Sequence, residues 1–270
     1  MTRRADVDLD EILELAIELA AEAAKRHRAG GTGEVLSKST ATDPVTKVDQ
    51  DSEHLIVDGI IAARPADGIV GEEGADRDSS TGVRWILDPL DGTVNYLYGD
   101  PMHAVSIGVE IDGVFSVGVV HHTTQDQTGA TNDVVYAARV GGGATRNGTP
   151  ISCRSADSLG TTLLAAGFGD APEQRAVQAE VLCNVLPNVR DIRRSGSCAL
   201  DLCSVASGIV DAFYETGPKI WDIAAGVVIV GEAGGTWSWD AKRNRIMAGS
   251  ATIWAPLEQM LDEAEQAVGA

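Results

Sequence analysis

Trp85-Ile86-Leu87-Asp88-Pro89-Leu90-Asp91-Gly92-Thr93 is the stretch on which the reading of this chain turns. Its apolar run predicts a strand that ends at Asp88, because Pro89 has no N–H to donate and cannot continue a ladder normally. The turn that follows can expose the Leu90 carbonyl and bring Asp88 and Asp91 to one side. A hard divalent cation wants such a set: oxygen donors only, some charged, with positions left for water and substrate. Gly92 and Thr93 then open a helix whose free N–H groups suit a phosphate. The plainer reading is a strand–turn–helix junction with Asp91 as a cap. A turn alone, however, does not require two aspartates.

Upstream of this stretch, Leu9, Ile12, Leu13, Ala16, Ala20, Ala23 and Ala24 recur at helical spacing, predicting a helix from Asp8 to Arg28 that Gly30 and Gly31 end. A second helix is predicted from Asp49 to Ala63, and GIVGEE (68–73) reads as a short strand ending in acid. Downstream, AVSIGVEI and VFSVGVVH flank Asp112-Gly113, a strong hairpin signal. VVYAARV, TTLLAAGF and IVDAFYE (209–215) read as further strands. Helices are predicted near 197–207, from Asp222 to Ala233 and from Pro256. Strands and helices interleave throughout, so the class is mixed α and β with antiparallel pairing in the middle. The 270 residues suit a single domain spanning 1–270, built as two closely packed lobes at about 1–150 and 151–270.

Composition narrows the function classes. With 44% apolar and 23% charged residues the chain reads as globular, and no apolar run approaches the roughly 20 residues that span a bilayer. The first residues turn acidic after Arg3-Arg4 without a signal-peptide core, so cytoplasm is the expected compartment. The four cysteines form no C-x-x-C pair and read as small buried or half-buried thiols. A formal net charge of −19 repels nucleic acid and anionic membrane, which makes neither an expected partner. It also repels a phosphorylated metabolite unless bound cations reverse the local sign.

Four further acidic positions are weak alone. Glu72 and Glu73 could be solvated surface charge, while Asp49 and Asp222 read first as helix caps. Their joint occurrence with the aspartates of 88–91 carries the weight. With GEE at 71–73, WILDPLDGTVNY at 85–96 and WDIAAG at 221–226 in this order, the chain resembles the inositol monophosphatase family of lithium-sensitive, magnesium-dependent phosphatases nearly end to end. PVTKVDQ (44–50) and RRSGSCALD (193–201) are moderate further matches, the latter with a bacterial flavour.

The resemblance implies an α+β fold, a layered α-β-α-β-α sandwich of the inositol monophosphatase and fructose-1,6-bisphosphatase type, commonly paired as a homodimer. It implies two to three Mg²⁺ per site. Glu72, Asp88 and the Leu90 carbonyl would hold the first, Asp88, Asp91 and Asp222 the second, and a weaker third would lie near Glu72. Thr93 and Asp49 would stand beside the attacking water, so Asp49, Glu72 and Thr93 form the implied catalytic group. Lys38 would lie over the metal and phosphate region, and the amides of Gly92 and Thr93 would receive phosphate oxygens. Substrate hydroxyls would meet Asp91, Asp222, Glu215 and the Gly196-Ser197-Cys198 turn. Cys198 stands where a smaller alanine is usual and would narrow the pocket, while His103 stands where an aromatic ring is common. The implied reaction is hydrolysis of a small phosphate monoester, first myo-inositol 1-phosphate. Histidinol phosphate is the runner-up, fructose 1,6-bisphosphate a further alternative, and phosphoadenosine phosphate the poorest fit. A protein of another class, binding metal and acting through partners without turnover, is the contrasting reading.

Overall fold

The computed structural model of the chain describes residues 7–29, 35–37, 44–125 and 131–269. The first half runs α1 (Leu9–Ala29), β1 (Val35–Ser37), β2 (Pro44–Thr46), α2 (Lys47–Ala63), β3 (Gly68–Gly71), β4 (Asp76–Arg77), β5 (Val83–Asp91), α3 (Thr93–Tyr98), β6 (Ala104–Ile111), β7 (Val114–Gln125), β8 (Thr131–Arg139), β9 (Gly143–Arg146) and β10 (Thr149–Pro150). The second half runs β11 (Leu163–Ala166), α4 (Pro172–Val185), β12 (Asp191–Arg193), α5 (Cys198–Ala206), β13 (Ala212–Thr216), α6 (Ile220–Glu232), β14 (Thr236–Asp240), β15 (Arg245–Gly249) and α7 (Trp254–Val268).

Besides the antiparallel β1–β2 pair, two larger sheets and three helical layers alternate among the described residues. An eight-stranded sheet has the order β10-β9-β8-β7-β6-β5-β3-β4, and a five-stranded sheet the order β12-β11-β13-β15-β14. On the outer face of the first, Ile12, Ala16, Leu19 and Ala23 of α1 and Ile56 and Ile60 of α2 meet Val83, Trp85, Leu87, Val105 and Ile107. Between the sheets lie α5 and α6, whose Leu202, Val205, Val227 and Ile229 share a core with Ala104, Val120, Phe213 and Ile246. The far face of the second sheet carries α4 and α7 through Val181, Val185, Leu257 and Leu261. Strand periodicity makes this sandwich possible: along β13, Ala212 and Tyr214 face α4 and α7 while Phe213 faces α5 and α6. Each fully buried leucine or isoleucine in these layers contributes about 1.5–3 kcal/mol. The chain is therefore an α-β-α-β-α sandwich.

Several expectations shift. The strand expected to stop at Asp88 runs on to Asp91. α2 starts at Lys47, capped by Thr46, so Asp49 is the third residue of the helix and the second half of a capping box. Asp222 likewise sits third in α6 rather than at its cap position. Cys183 is exposed on α4, against the expected burial of all four thiols, while Cys198 and Cys203 are buried and Cys153 half-buried. Among the described residues no helix is long and apolar enough to cross a membrane.

Candidate active site

Glu72 and Asp88 arrive together because β3 and β5 are parallel neighbours. Gly71 pairs with Leu87, and the Glu72 amide donates to the Leu87 carbonyl at 3.1 Å, leaving Glu72 and Asp88 side by side where the β3–β5 pairing ends. Beyond Asp88 the ladder slips. Asp88 pairs with Ser106 and Asp91 with Ala104, so β5 holds one residue more than β6 over this interval, a bulge. The Leu90 amide folds back to Asp88 Oδ1 at 3.0 Å, and the Leu90 carbonyl accepts from the Thr93 hydroxyl at 3.0 Å. Asp91 then reaches across the layers: its Oδ2 accepts from Ser197 Oγ at 2.6 Å and from the Ala199 amide at 2.7 Å. It does cap a helix, but the helix is α5, a hundred residues downstream, while Gly92 opens α3.

Gly92 is required twice. Its φ of 89° is left-handed, and a Cβ there would come within 2.8 Å of the Met102 carbonyl oxygen.

Asp222 is brought in by α6, which lies unusually close to the first sheet. Gly108 and Gly118 pair with each other across β6 and β7 beneath Ala224 and Ala225. A Cβ on Gly118 would stand 2.3 Å from the Ala225 carbonyl oxygen, and one on Gly108 would stand 2.5 Å from Ala224 Cβ. Small residues on both sides of this contact therefore set how near Asp222 comes to Asp88. Asp222 itself is anchored by the Lys219 amide, at 2.6 Å from its Oδ2.

Asp49 is fully buried and surrounded by donors. The Thr46 amide lies 2.8 Å from its Oδ2, the Thr46 hydroxyl also donates to that oxygen, and the Thr93 hydroxyl lies 3.0 Å from its Oδ1.

The electrostatics of the remaining acids run the other way. Burial, then Glu72, Asp91 and Asp222, holds Asp88 well above the usual carboxylate range. Burial and Asp91 raise Asp222 in the same way. Asp91 is pushed up to about 6, burial outweighing the hydrogen bonds from Ser197 and Ala199. Carboxylates repel one another here, and a divalent cation would reverse that penalty. The donor set fits such a cation: oxygen only, mostly charged, and centred on one carboxylate, Asp88, that feels all the others. Among the described residues no three acidic, histidine or cysteine side chains already close into a finished coordination sphere. What the fold provides is a concentrated anionic set in which one oxygen each of Asp91 and Asp222 is tied to a helix start.

At the other end of this region, Glu215 of β13 faces the middle helical layer. Burial, then Asp91 and Asp201, pushes it up to about 8, and the Cys198 thiol donates a hydrogen bond to it. A Cβ on Gly167 would overlap the Glu215 carboxylate, so that glycine clears the space it occupies. Gly196, with φ of 90°, threads between the side chains of Asn95 and Arg194, and Ser197 caps α5. Thus Asp49, Glu72, Asp88, Leu90, Asp91, Gly92, Thr93, Gly196, Ser197, Cys198, Glu215 and Asp222 gather where α2, α3, α5 and α6 start beside the ends of β3 and β5. Lys38 lies outside the described residues.

A match to the inositol monophosphatase family covers residues 8–267. The chain belongs to the inositol monophosphatase family. It is 47% identical over 217 residues to the inositol-1-monophosphatase SuhB of Mycobacterium tuberculosis, spanning 77% of this chain and 72% of that protein. The solved structure titled Mycobacterium tuberculosis SuhB superposes with a TM-score of 0.80 at 39% identity, covering 96% of this chain and 98% of that one. The Nus factor SuhB of Pasteurella multocida is 36% identical over 233 residues, 84% of each chain. Family membership supports a phosphatase.

Sequence reasoning missed several residues that support this cluster. Glu53, one helical turn after Asp49, accepts from the Glu73 amide at 2.9 Å through Oε2 and from the Ala75 amide at 2.9 Å through Oε1, so it holds the loop that presents Glu72. The i, i+4 spacing of two acids on α2 was its one available signal. Asp201, pushed up to about 7 chiefly by burial, and Arg194 both act on Glu215. Asn95 ties the Met102 and Ser195 carbonyls together at 2.5 and 2.9 Å.

Proposed function

We propose that the chain is a magnesium-dependent phosphatase acting on a small phosphate monoester, with myo-inositol 1-phosphate first. The observation that carries this reading is the convergence of Glu72, Asp88, Asp91 and Asp222 beside the hydrogen-bonded Thr93 and Asp49. Glu72, Asp88 and the Leu90 carbonyl would hold one Mg²⁺, Asp88, Asp91 and Asp222 a second, and the region of Glu72 a weaker third. When bound, such ions supply an activated water near neutral pH, neutralise the phosphoryl group and stabilise the leaving oxygen.

The chain's own residues supply orientation. The Thr93 hydroxyl has one hydrogen and two acceptors, Asp49 Oδ1 and the Leu90 carbonyl, both at 3.0 Å. Its lone pairs therefore remain to accept from a water in front of it, and Asp49 is the base that a proton leaving through Thr93 would reach. Asp49 keeps one orientation because Thr46 holds its other oxygen. The amides of Gly92 and Thr93 would receive phosphate oxygens, with Lys38 over the same region. Glu215 and the Gly196–Cys198 turn would accept the hydroxyls of a polyol. An amine would also suit Glu215, which keeps histidinol phosphate as the second substrate. A homodimer in the cytoplasm belongs to the same reading, and so does the absence of nucleic-acid and membrane contacts, which the net charge of −19 supports.

The test is phosphate release by dialysed protein from inositol phosphates, histidinol phosphate, fructose 1,6-bisphosphate and phosphoadenosine phosphate. Turnover should require Mg²⁺, be highest in kcat/KM for inositol 1-phosphate, and be inhibited by Ca²⁺ and Li⁺. Full activity in excess EDTA would end the metal reading. Release from none of the panel would favour a second reading, a partner-binding role suggested by the relatives named Nus factor.

A further inference from the structure

Four of the five histidines (His27, His103, His121 and His122) gather beside the bulge of β5. One of them touches the bulge itself. His27, in the last turn of α1, is buried to 5% exposure and places Nε2 2.9 Å from the Pro89 carbonyl oxygen. A carbonyl only accepts, so Nε2 carries the hydrogen and the ring is the Nε2–H tautomer. The ring is also kept from gaining a second proton, since burial first, and then His103, lowers His27 to about 3. Its backbone is held as well, since the Tyr96 hydroxyl donates to the His27 carbonyl at 3.2 Å, and the His103 ring lies 5.5 Å from the His27 ring and 5.2 Å from that of Tyr96.

The Pro89 carbonyl belongs to the same rigid peptide plane as the Leu90 N–H. That N–H is the one that donates to Asp88 Oδ1 at 3.0 Å. One flat unit thus has His27 on its oxygen and Asp88 on its nitrogen. A hydrogen bond received by the oxygen fixes the tilt of the plane and strengthens the N–H as a donor. At the bulge, this plane lacks the regular ladder partner that would otherwise fix it.

We infer that His27 is a positioning residue for the metal site: through the Pro89–Leu90 peptide it sets the orientation of the Asp88 carboxylate, and so the affinity for divalent cations. This rests on the reading of Asp88 as the bridging ligand. An apolar core role would require only a side chain of the right volume, whereas this role requires an N–H at the Nε2 position.

Methionine and glutamine separate the two, being similar in length and helix propensity and differing in the donor. In calorimetric titrations of the metal-free protein with Mg²⁺ and with Mn²⁺, His27→Met should bind about tenfold more weakly or worse, while His27→Gln should stay within about threefold of wild type. The Met variant should recover most of its kcat at saturating Mg²⁺ with KM for substrate little changed. Equal losses for both variants, or unchanged affinity in His27→Met, would overturn the inference while leaving the phosphatase reading intact. Absence of Mg²⁺ binding in wild type would overturn both. In the unmutated protein, ¹⁵N–¹H correlation spectra should show the His27 ring as Nε2–H from pH 5 to 8. An Nδ1–H ring would overturn the inference whether or not the Met variant folds.

Discussion

Asp49 and Asp222 occupy the same position in two different helices. Each is the third residue, and each sends one carboxylate oxygen back to the amide of the residue before the helix, Thr46 in one case and Lys219 in the other. Locally they are the same device. Their surroundings are opposites. Asp49 meets hydroxyls and an amide on both oxygens, so its charge is stabilised by fixed dipoles. Asp222 meets Asp91, Glu72 and Glu215, so its charge is penalised. A capped helix start can therefore serve either as a rigid acceptor or as part of an anion cage. The other end of the side chain decides which.

The comparison breaks most sharply at Asp222. Asp222→Asn keeps an oxygen for the Lys219 amide and removes a repelled charge. The metal-free variant should melt no lower than wild type. Its kcat with Mg²⁺ should fall by roughly 10³-fold or more, and calorimetry should show weakened metal binding. A variant that melts well below wild type would mean that Asp222 is chiefly a cap after all.

Asp49→Asn should show the reverse profile. The amide oxygen can still accept from Thr46, and the NH₂ can donate to the Thr93 hydroxyl, which then donates to the Leu90 carbonyl. Neutral bonds replace charge-assisted ones, however, so stability should fall by about 1–2 kcal/mol. In the same variant kcat should drop roughly 10²-fold while Mg²⁺ affinity holds. Combined with Thr93→Ala, the second change should add little, because the two act as one unit. Additive losses would separate them.

The smallest effect concerns pH. Glu215 rises from its ordinary value of 4.5 to about 8 on folding, chiefly through burial. Between those values the native state binds more protons than the unfolded one, so the stability attached to this group is present at low pH and lost as pH rises through about 8. Metal-free wild type should therefore lose stability between pH 5 and 8 more steeply than Glu215→Gln, as read by denaturant melts at several pH values. Parallel curves would mean that Glu215 is solvated rather than desolvated. Asp91 and Asp201 are raised in the same sense and should leave a residual slope in the variant.

Much of this molecule is legible before any coordinates. The hairpin at Asp112-Gly113 could be read because its turn demands left-handed backbone, and both residues adopt it, at φ 54° and 85°. The acidic cluster could be read because D-P-L-D and W-D-I-A-A-G combine a breaker or small residues with carboxylates at fixed offsets. α4 could not, because its buried face is Gln178, Val181 and Val185, too polar and sparse to give a helical stripe. Nor could the supports of the site. His27 acts on a carbonyl 62 residues away and Glu53 on amides 20 and 22 residues away. Neither sits in a motif that announces the contact. The acidic residues of the cluster each sit in a short legible motif, whereas the residues that hold them are visible only once the layers are stacked.

The paired glycines of β6 and β7 put that geometry in another light. Gly108 and Gly118 form a dent in the sheet one methyl group deep, and Ala224 and Ala225 sit in it like a key in a shallow ward. Neither glycine carries a functional group, and both lie in the middle of strands where a larger residue would ordinarily strengthen the ladder. Their contribution is an absence of atoms. The gap between Asp88 on its strand and Asp222 at its helix start is cut to size by missing carbons, so a close tolerance belongs to residues that are chemically blank.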